Sequence, residues 1–188
     1  MHAFAKINSI VENLKKSLLN KIKIIGLMSC LLLVVSCKFY SLSGISIPEG
    51  TRSFQVNYFQ NNAPLVEPGI ERTFTFALQD LIQNQSSLTL ATDGGDLIYE
   101  GEIVDYYIAP QTATSDNVAA QNRLTVAVSV RFINTKVEDG SKDFTKRYSF
   151  FVDRSASTQF VGAALDDALA EIYERITQDI FNDSLADW

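Results

Sequence analysis

"RLTVAVSVRFI", residues 123–133, is the stretch that decides the fold. Leu124, Val126, Val128, Val130 and Phe132 alternate with Thr125, Ala127, Ser129 and Arg131. That period of two puts one side of a strand in a core and the other in water. "DFTKRYSFFV", residues 143–152, repeats the device, with Phe144, Tyr148, Phe150 and Val152 opposed by Thr145, Arg147 and Ser149. Glu138, Asp139 and Gly140 supply a turn between the two, so they form a hairpin.

Outward from this hairpin the pattern continues. In "LIYEGEIVDYYIA", residues 97–109, Leu97, Tyr99, Gly101 and Ile103 share one face and Glu100 and Glu102 the other. "SLTLA", residues 87–91, reads as a short strand, and "TDGGD" after it has the residues of a tight hairpin turn. A phosphate loop there would need a following Lys-Ser/Thr pair and a helix, and neither is present. "SFQVNYF", residues 53–59, places Phe54, Val56 and Tyr58 on one side of a further strand.

Two segments carry the helical period instead. After Pro68, which suits a first helical turn, Ile70, Phe74, Leu78, Leu81 and Ile82 recur at helical spacing up to about Gln85. From about Ser157 to Asn182, Val161, Leu165, Leu169, Ile172, Ile176 and Ile180 form a stripe widened by Ala168 and Tyr173. Asp166, Asp167, Glu171, Glu174 and Arg175 face away from it. Strands with one apolar side need a cover on that side only. The expected fold is therefore α+β, a two-layer sandwich with two helices on one face of a mixed four- to five-stranded sheet.

The amino-terminal part has a different character. Lys15, Lys16, Lys21 and Lys23 precede an apolar, uncharged stretch from Ile24 to Ser36, 13 residues long. A membrane-spanning helix needs roughly 20, so this reads as the n- and h-regions of a leader. Val34-Val35-Ser36-Cys37 has the form of the bacterial lipobox, in which the cysteine thiol is acylated and becomes residue one. Leu27-Met28-Ser29-Cys30 has a similar shape but would leave too short an h-region. The expected organisation is a lipoprotein signal peptide over 1–36, a lipidated tether over 37–50 and a single domain over 51–188. Lys38, not aspartate, follows the cysteine, which by bacterial sorting rules favours the periplasmic face of the outer membrane.

Removing the leader has chemical consequences. The whole chain of 188 residues has 16 basic and 22 acidic side chains; the leader takes five lysines and one glutamate, leaving a net charge near −10. So acidic a domain does not suit nucleic acid. The only histidine, His2, and the second cysteine, Cys30, also go with the leader. Without them, zinc sites of the His or Cys type, Ser-His-Asp triads, Cys-His pairs and the usual haem ligation have no residues to build on, and no cofactor, metal or catalytic residue is expected. The remaining features of interest are the uncovered polar side of the sheet and the long connection "PQTATSDNVAAQ" between Pro110 and Asn122.

With these residues read, the chain resembles the LptE lipoproteins of lipopolysaccharide assembly, in particular their Bacteroidetes-type branch. The resemblance rests on "YSLSGISIPEG", "YFQNNAPLVEPGIERTFTFALQDLI", "GDLIYEGEIVDYYIAP", "AAQNRLTVAVSVRFIN" and "ALAEIYERITQDIFN", in that order along the mature chain. It implies an outer-membrane lipoprotein, without catalysis, that sits inside and partly plugs an LptD-type β-barrel and contacts lipopolysaccharide. Arg123, Arg131 and Arg147 are expected to share the open face, where guanidinium forks suit lipid phosphates. The alternative for these arginines is pairing across strands with Glu100 and Glu102. Two other functions fit less well: a lipid-anchored adaptor or pilot of another envelope machine, and a hydrolase using Glu100 with Glu102 or Asp105.

Overall fold

The computed structural model describes residues 50–65, 67–111 and 120–186, together with residues 15, 18, 21, 23 and 47. Cys37, most of the segments read as leader and tether, and the centre of the long connection lie outside the described residues. The chain divides into units Met1–Ser43 and Gly44–Trp188, and the sheet with its two covering helices belongs to the second.

In chain order the elements of this unit are β1 (Ser53–Val56), β2 (Gln60–Asn61), α1 (Ile70–Gln85), β3 (Thr89–Leu90), β4 (Leu97–Gln111), β5 (Gln121–Asn134), β6 (Phe144–Ser155) and α2 (Ala163–Leu185). They form the expected α+β fold with a mixed sheet, ordered β3-β1-β4-β5-β6, with β2 also on β4. β4, β5 and β6 make an antiparallel meander. β1, β2 and β3 join it through parallel pairings.

The core lies between sheet and helices. Phe54, Phe74, Leu78, Ile82, Leu97, Tyr99, Ile103, Leu124, Val126, Val128 and Val130 are all fully buried. Phe74 meets Phe59 and Tyr173 edge-on, at centroid distances of 4.9 and 5.3 Å, and Tyr99, Phe132 and Phe144 follow one another at 5.0 and 5.2 Å. Hydroxyls that enter this layer find acceptors, as burial requires. Tyr173 donates to the Ile70 carbonyl at 3.2 Å and ties α2 to α1. Tyr99 donates to Ser184 at 2.9 Å and Tyr148 to Asp183 at 2.7 Å, tying α2 to the sheet. Ile47, in the stretch read as tether, packs partly against the same core.

Several sequence expectations need correction. β3 and β4 are not a hairpin, because β1 lies between them and pairs parallel to both. The 91–96 segment instead crosses β1 on the side away from the helices. Gly95 donates to the Gln55 side chain, and a β-carbon there would lie 2.7 Å from Gln55 Cβ and 2.8 Å from its backbone nitrogen. Only glycine permits that approach. Gln55 is consequently buried, so the chain itself covers the outer side of the sheet here.

Tyr58 is 55% exposed and Phe59 takes the core position instead. From Val56↔Tyr99 to Gln60↔Glu102, four steps along β1–β2 match three along β4, and the extra residue reverses which side chains point inward. The Phe59 ring enters over Gly101, where a side chain would strike it. A second irregularity falls on β4: Ile103 opposes Val128 but Asp105 opposes Ala127, so Tyr106, not Asp105, continues the buried row. α2 begins later than expected, after Gly162 at φ 55°, and leaves Val161 outside the helix and 63% exposed. The long connection is also shorter than expected. Pro110↔Asn122 and Gln111↔Gln121 belong to the β4–β5 ladder.

Candidate functional site: the open face of the sheet

Strand alternation delivers a defined set of side chains to the face away from the helices. β5 contributes Arg123, Thr125, Ala127, Ser129 and Arg131. Register then places Glu100, Glu102, Asp105 and Tyr107 of β4 on one flank and Thr145, Arg147, Ser149, Phe151 and Asp153 of β6 on the other. All three arginines singled out from the sequence therefore share this face, and each is held by a carboxylate on another strand.

The arginines differ in how firmly they are held. Arg123 makes a bidentate pair with Asp153, both contacts 2.7 Å, and its guanidinium lies 3.6 Å from the centroid of the Phe151 ring. The Arg123 fork holds the Asp153 carboxyl below the usual carboxylate range. Arg131 meets Glu100 through a single 3.2 Å contact and its side chain is 61% exposed. Arg147 reaches across β5 to Asp105. This bridge runs over Ser129 and Ala127, and Ala127 is fully buried although it belongs to the open face.

Glu100 also accepts from the Asn57 amide at 3.2 Å, and Glu102 accepts from Asn62. Glu100 and Glu102 project in parallel from one strand, so they do not flank a bond from opposite sides as paired acids in glycosidases do. Among the described residues no cluster of three or more His, Cys, Asp or Glu side chains could hold a metal ion.

The face has two ends of different chemistry. Glu100, Glu102, Arg131, Asn57, Ser129 and Thr145 line a shallow polar depression. At the other end Tyr107 and Phe151 stand on either side of Thr125, 47% and 44% exposed, and leave Thr125 almost covered. Sequence reading missed this aromatic pair. Phe151 was within reach, since residues 147, 149 and 151 alternate together; Tyr107 depended on the irregularity at Val104.

The family model described as LptE, lipopolysaccharide-assembly, matches residues 51–184, nearly all of the folded unit that carries this face. No curated protein matches by sequence. Among solved structures, the hypothetical protein CT253 from Chlamydia trachomatis is similar with a TM-score of 0.50 at 9% identity, over 73% of this chain and 99% of that one. Lipoprotein GNA1162 from Neisseria meningitidis superimposes with a TM-score of 0.40 at 11% identity, over 70% and 99% of the two chains. A minor lipoprotein from Acinetobacter baumannii gives 0.39 at 13% identity, over 71% and 95%. At such identities the CT253 likeness speaks for the fold alone, and kinship rests on the family model. The chain belongs to the LptE family of lipopolysaccharide-assembly proteins.

Proposed function

We propose that this protein is an outer-membrane lipoprotein, anchored through acylated Cys37, whose open sheet face seats against the inner wall of an LptD-type β-barrel. In that position it partly plugs the barrel and assists lipopolysaccharide assembly, without catalysis. The observation that carries this reading is the composition of the open face. Its three arginines are each paired with a carboxylate of the same face, and the remaining carboxylate, Glu102, accepts from the Asn62 amide, so it can meet a polar, water-filled lumen. Among the described residues no helix is long and apolar enough to cross a membrane, and two or three acyl chains on Cys37 would supply stable attachment where one does not.

The arginines are then graded as lipopolysaccharide contacts. Arg131 and Arg147, the more exposed pair, are placed to exchange a neighbouring carboxylate for a lipid phosphate. Arg123, clamped by Asp153 and stacked on Phe151, serves the structure of the face. Co-purification after detergent solubilisation tests the barrel partnership: the protein should come out with a large outer-membrane barrel. Recovery of the protein alone from cells expressing that barrel would overturn it. The Arg131→Glu, Arg147→Glu double variant tests the lipid contact. It should stay folded and lose lipopolysaccharide binding, and undiminished binding would remove both residues from the proposal.

A further inference from the structure

The two edges of the sheet are built differently. At one end stands β3, two residues long, too short to template another strand. At the other stands β6, 12 residues long, paired only with β5 among the described strands. Long edges are normally blunted by bulges, proline, covering loops or charges projecting over the edge. β6 has no proline or glycine, and its ladder with β5 runs through 12 consecutive pairs without a register shift. Its basic side chains are drawn back into the protein: Lys146 to Asp183, Arg147 to Asp105 and Arg154 to Glu171. Beside the edge, β6 and α2 enclose a groove whose walls include Tyr148, Asn182, the carboxylates Asp179 and Asp183 and the cations Lys146 and Arg147, so its preference of sign comes from the wider α2 surface.

We propose that the free edge of β6 and this groove accept an extended, net-basic segment of another protein, which adds a strand to the sheet. A second copy of this chain fits poorly. α2 packs mainly over β6, and added strands lie about 4.8 Å apart whereas packed helices need about 8–10 Å between axes. Pairing two copies through β6 would therefore drive their α2 helices together. The incoming segment must be a strand without its own helix layer on that side. Its charge follows from α2, whose six acidic side chains outnumber by three the cations they pair with, Arg175 of α2 itself and Lys146 and Arg154 of β6. Backbone pairing supplies the affinity and this field the preference of sign. The inference stands apart from the open face and from the barrel partnership.

The test uses the full chain in detergent micelles and three synthetic eight-residue peptides, alternating valine with lysine, with serine or with glutamate. Amide hydrogen exchange across residues 144–155 is the readout. The valine-lysine peptide should slow exchange in β6 at least tenfold, at a concentration where the valine-glutamate peptide has no effect and the serine peptide acts weakly. The Glu171→Lys, Asp179→Lys variant should lose that preference; should it fail to fold, Glu171→Gln, Asp179→Asn is used and should reduce it. No protection of β6, equal protection by all three peptides, or protection confined to another element would overturn the proposal. Concentration-dependent protection of β6 without peptide would overturn the choice of occupant in favour of a second copy.

Discussion

The two faces of the sheet are made from the same strands yet held by different forces. The helix side is a continuous apolar layer in which Phe74, Tyr99, Ile172 and Val128 have lost all contact with water. The open side is a mosaic of exposed ion pairs and half-exposed aromatic rings. Stability is concentrated on the first, and the proposed function leaves recognition to the second. A buried large apolar side chain contributes about 1.5–3 kcal/mol by transfer from water, whereas an exposed ion pair contributes about 0–1 kcal/mol.

Substitutions can break or sharpen this contrast. The largest effect is expected from Phe74→Ala, which removes the ring touching both Phe59 and Tyr173. Urea unfolding should show a loss of about 3–5 kcal/mol, a large part of a typical domain's stability. Gly101→Ala comes next. Its β-carbon would meet the Ser129 carbonyl oxygen at 2.0 Å and the Phe59 ring at 2.9 Å, so a loss near the top of the roughly 1–3 kcal/mol overpacking range is expected in the same assay.

Acid should act on the carboxylates that staple the molecule together. Asp96 is held below the usual range, first by Lys136 and then by the Arg52 backbone N–H. Asp153 is lowered by Arg123. For Asp183 burial pulls upward, but Lys146 and Tyr148 outweigh it and the net direction is down. A lowered folded-state pKa gives stability that is present above the unfolded value of about 4 and lost as pH falls through the folded one. Thermal unfolding should therefore be flat from neutral pH to about 5 and fall below about 4, and Asp96→Asn should reduce the neutral-pH stability and soften that fall. The smallest effect is expected from Arg147→Gln on the open face. It should shift unfolding by less than about 1 kcal/mol, and a larger loss would mean that the face is part of the stability core.

The core layer was legible in the sequence because strict alternation from Leu124 to Phe132 and the stripe from Leu165 to Ile180 leave little choice of which side is buried. Two single-residue irregularities were not. The extra residue between Val56 and Gln60 exchanged Tyr58 for Phe59, and the one at Val104 brought in Tyr106 and turned Tyr107 outward. Side-chain parity reverses at such a step, and nothing in local propensity marks it. The Gly94-Gly95 pair misled for a related reason, since glycine serves a close crossing over β1 as well as a tight turn. On the open face, the residue types and their common side could be read, but the pairing of Arg147 with Asp105 rather than Glu102 depends on the register across three strands.

If the open face, and not the helix layer, meets the barrel, the two sides of the molecule must differ in what they touch inside the cell. A photocrosslinking amino acid placed at position 131 or 145 in living cells should give a covalent adduct with a large outer-membrane barrel, while the same group at Glu174 on the outside of α2 should give little or none. Strong adducts from position 174, with none from 131 and 145, would contradict it.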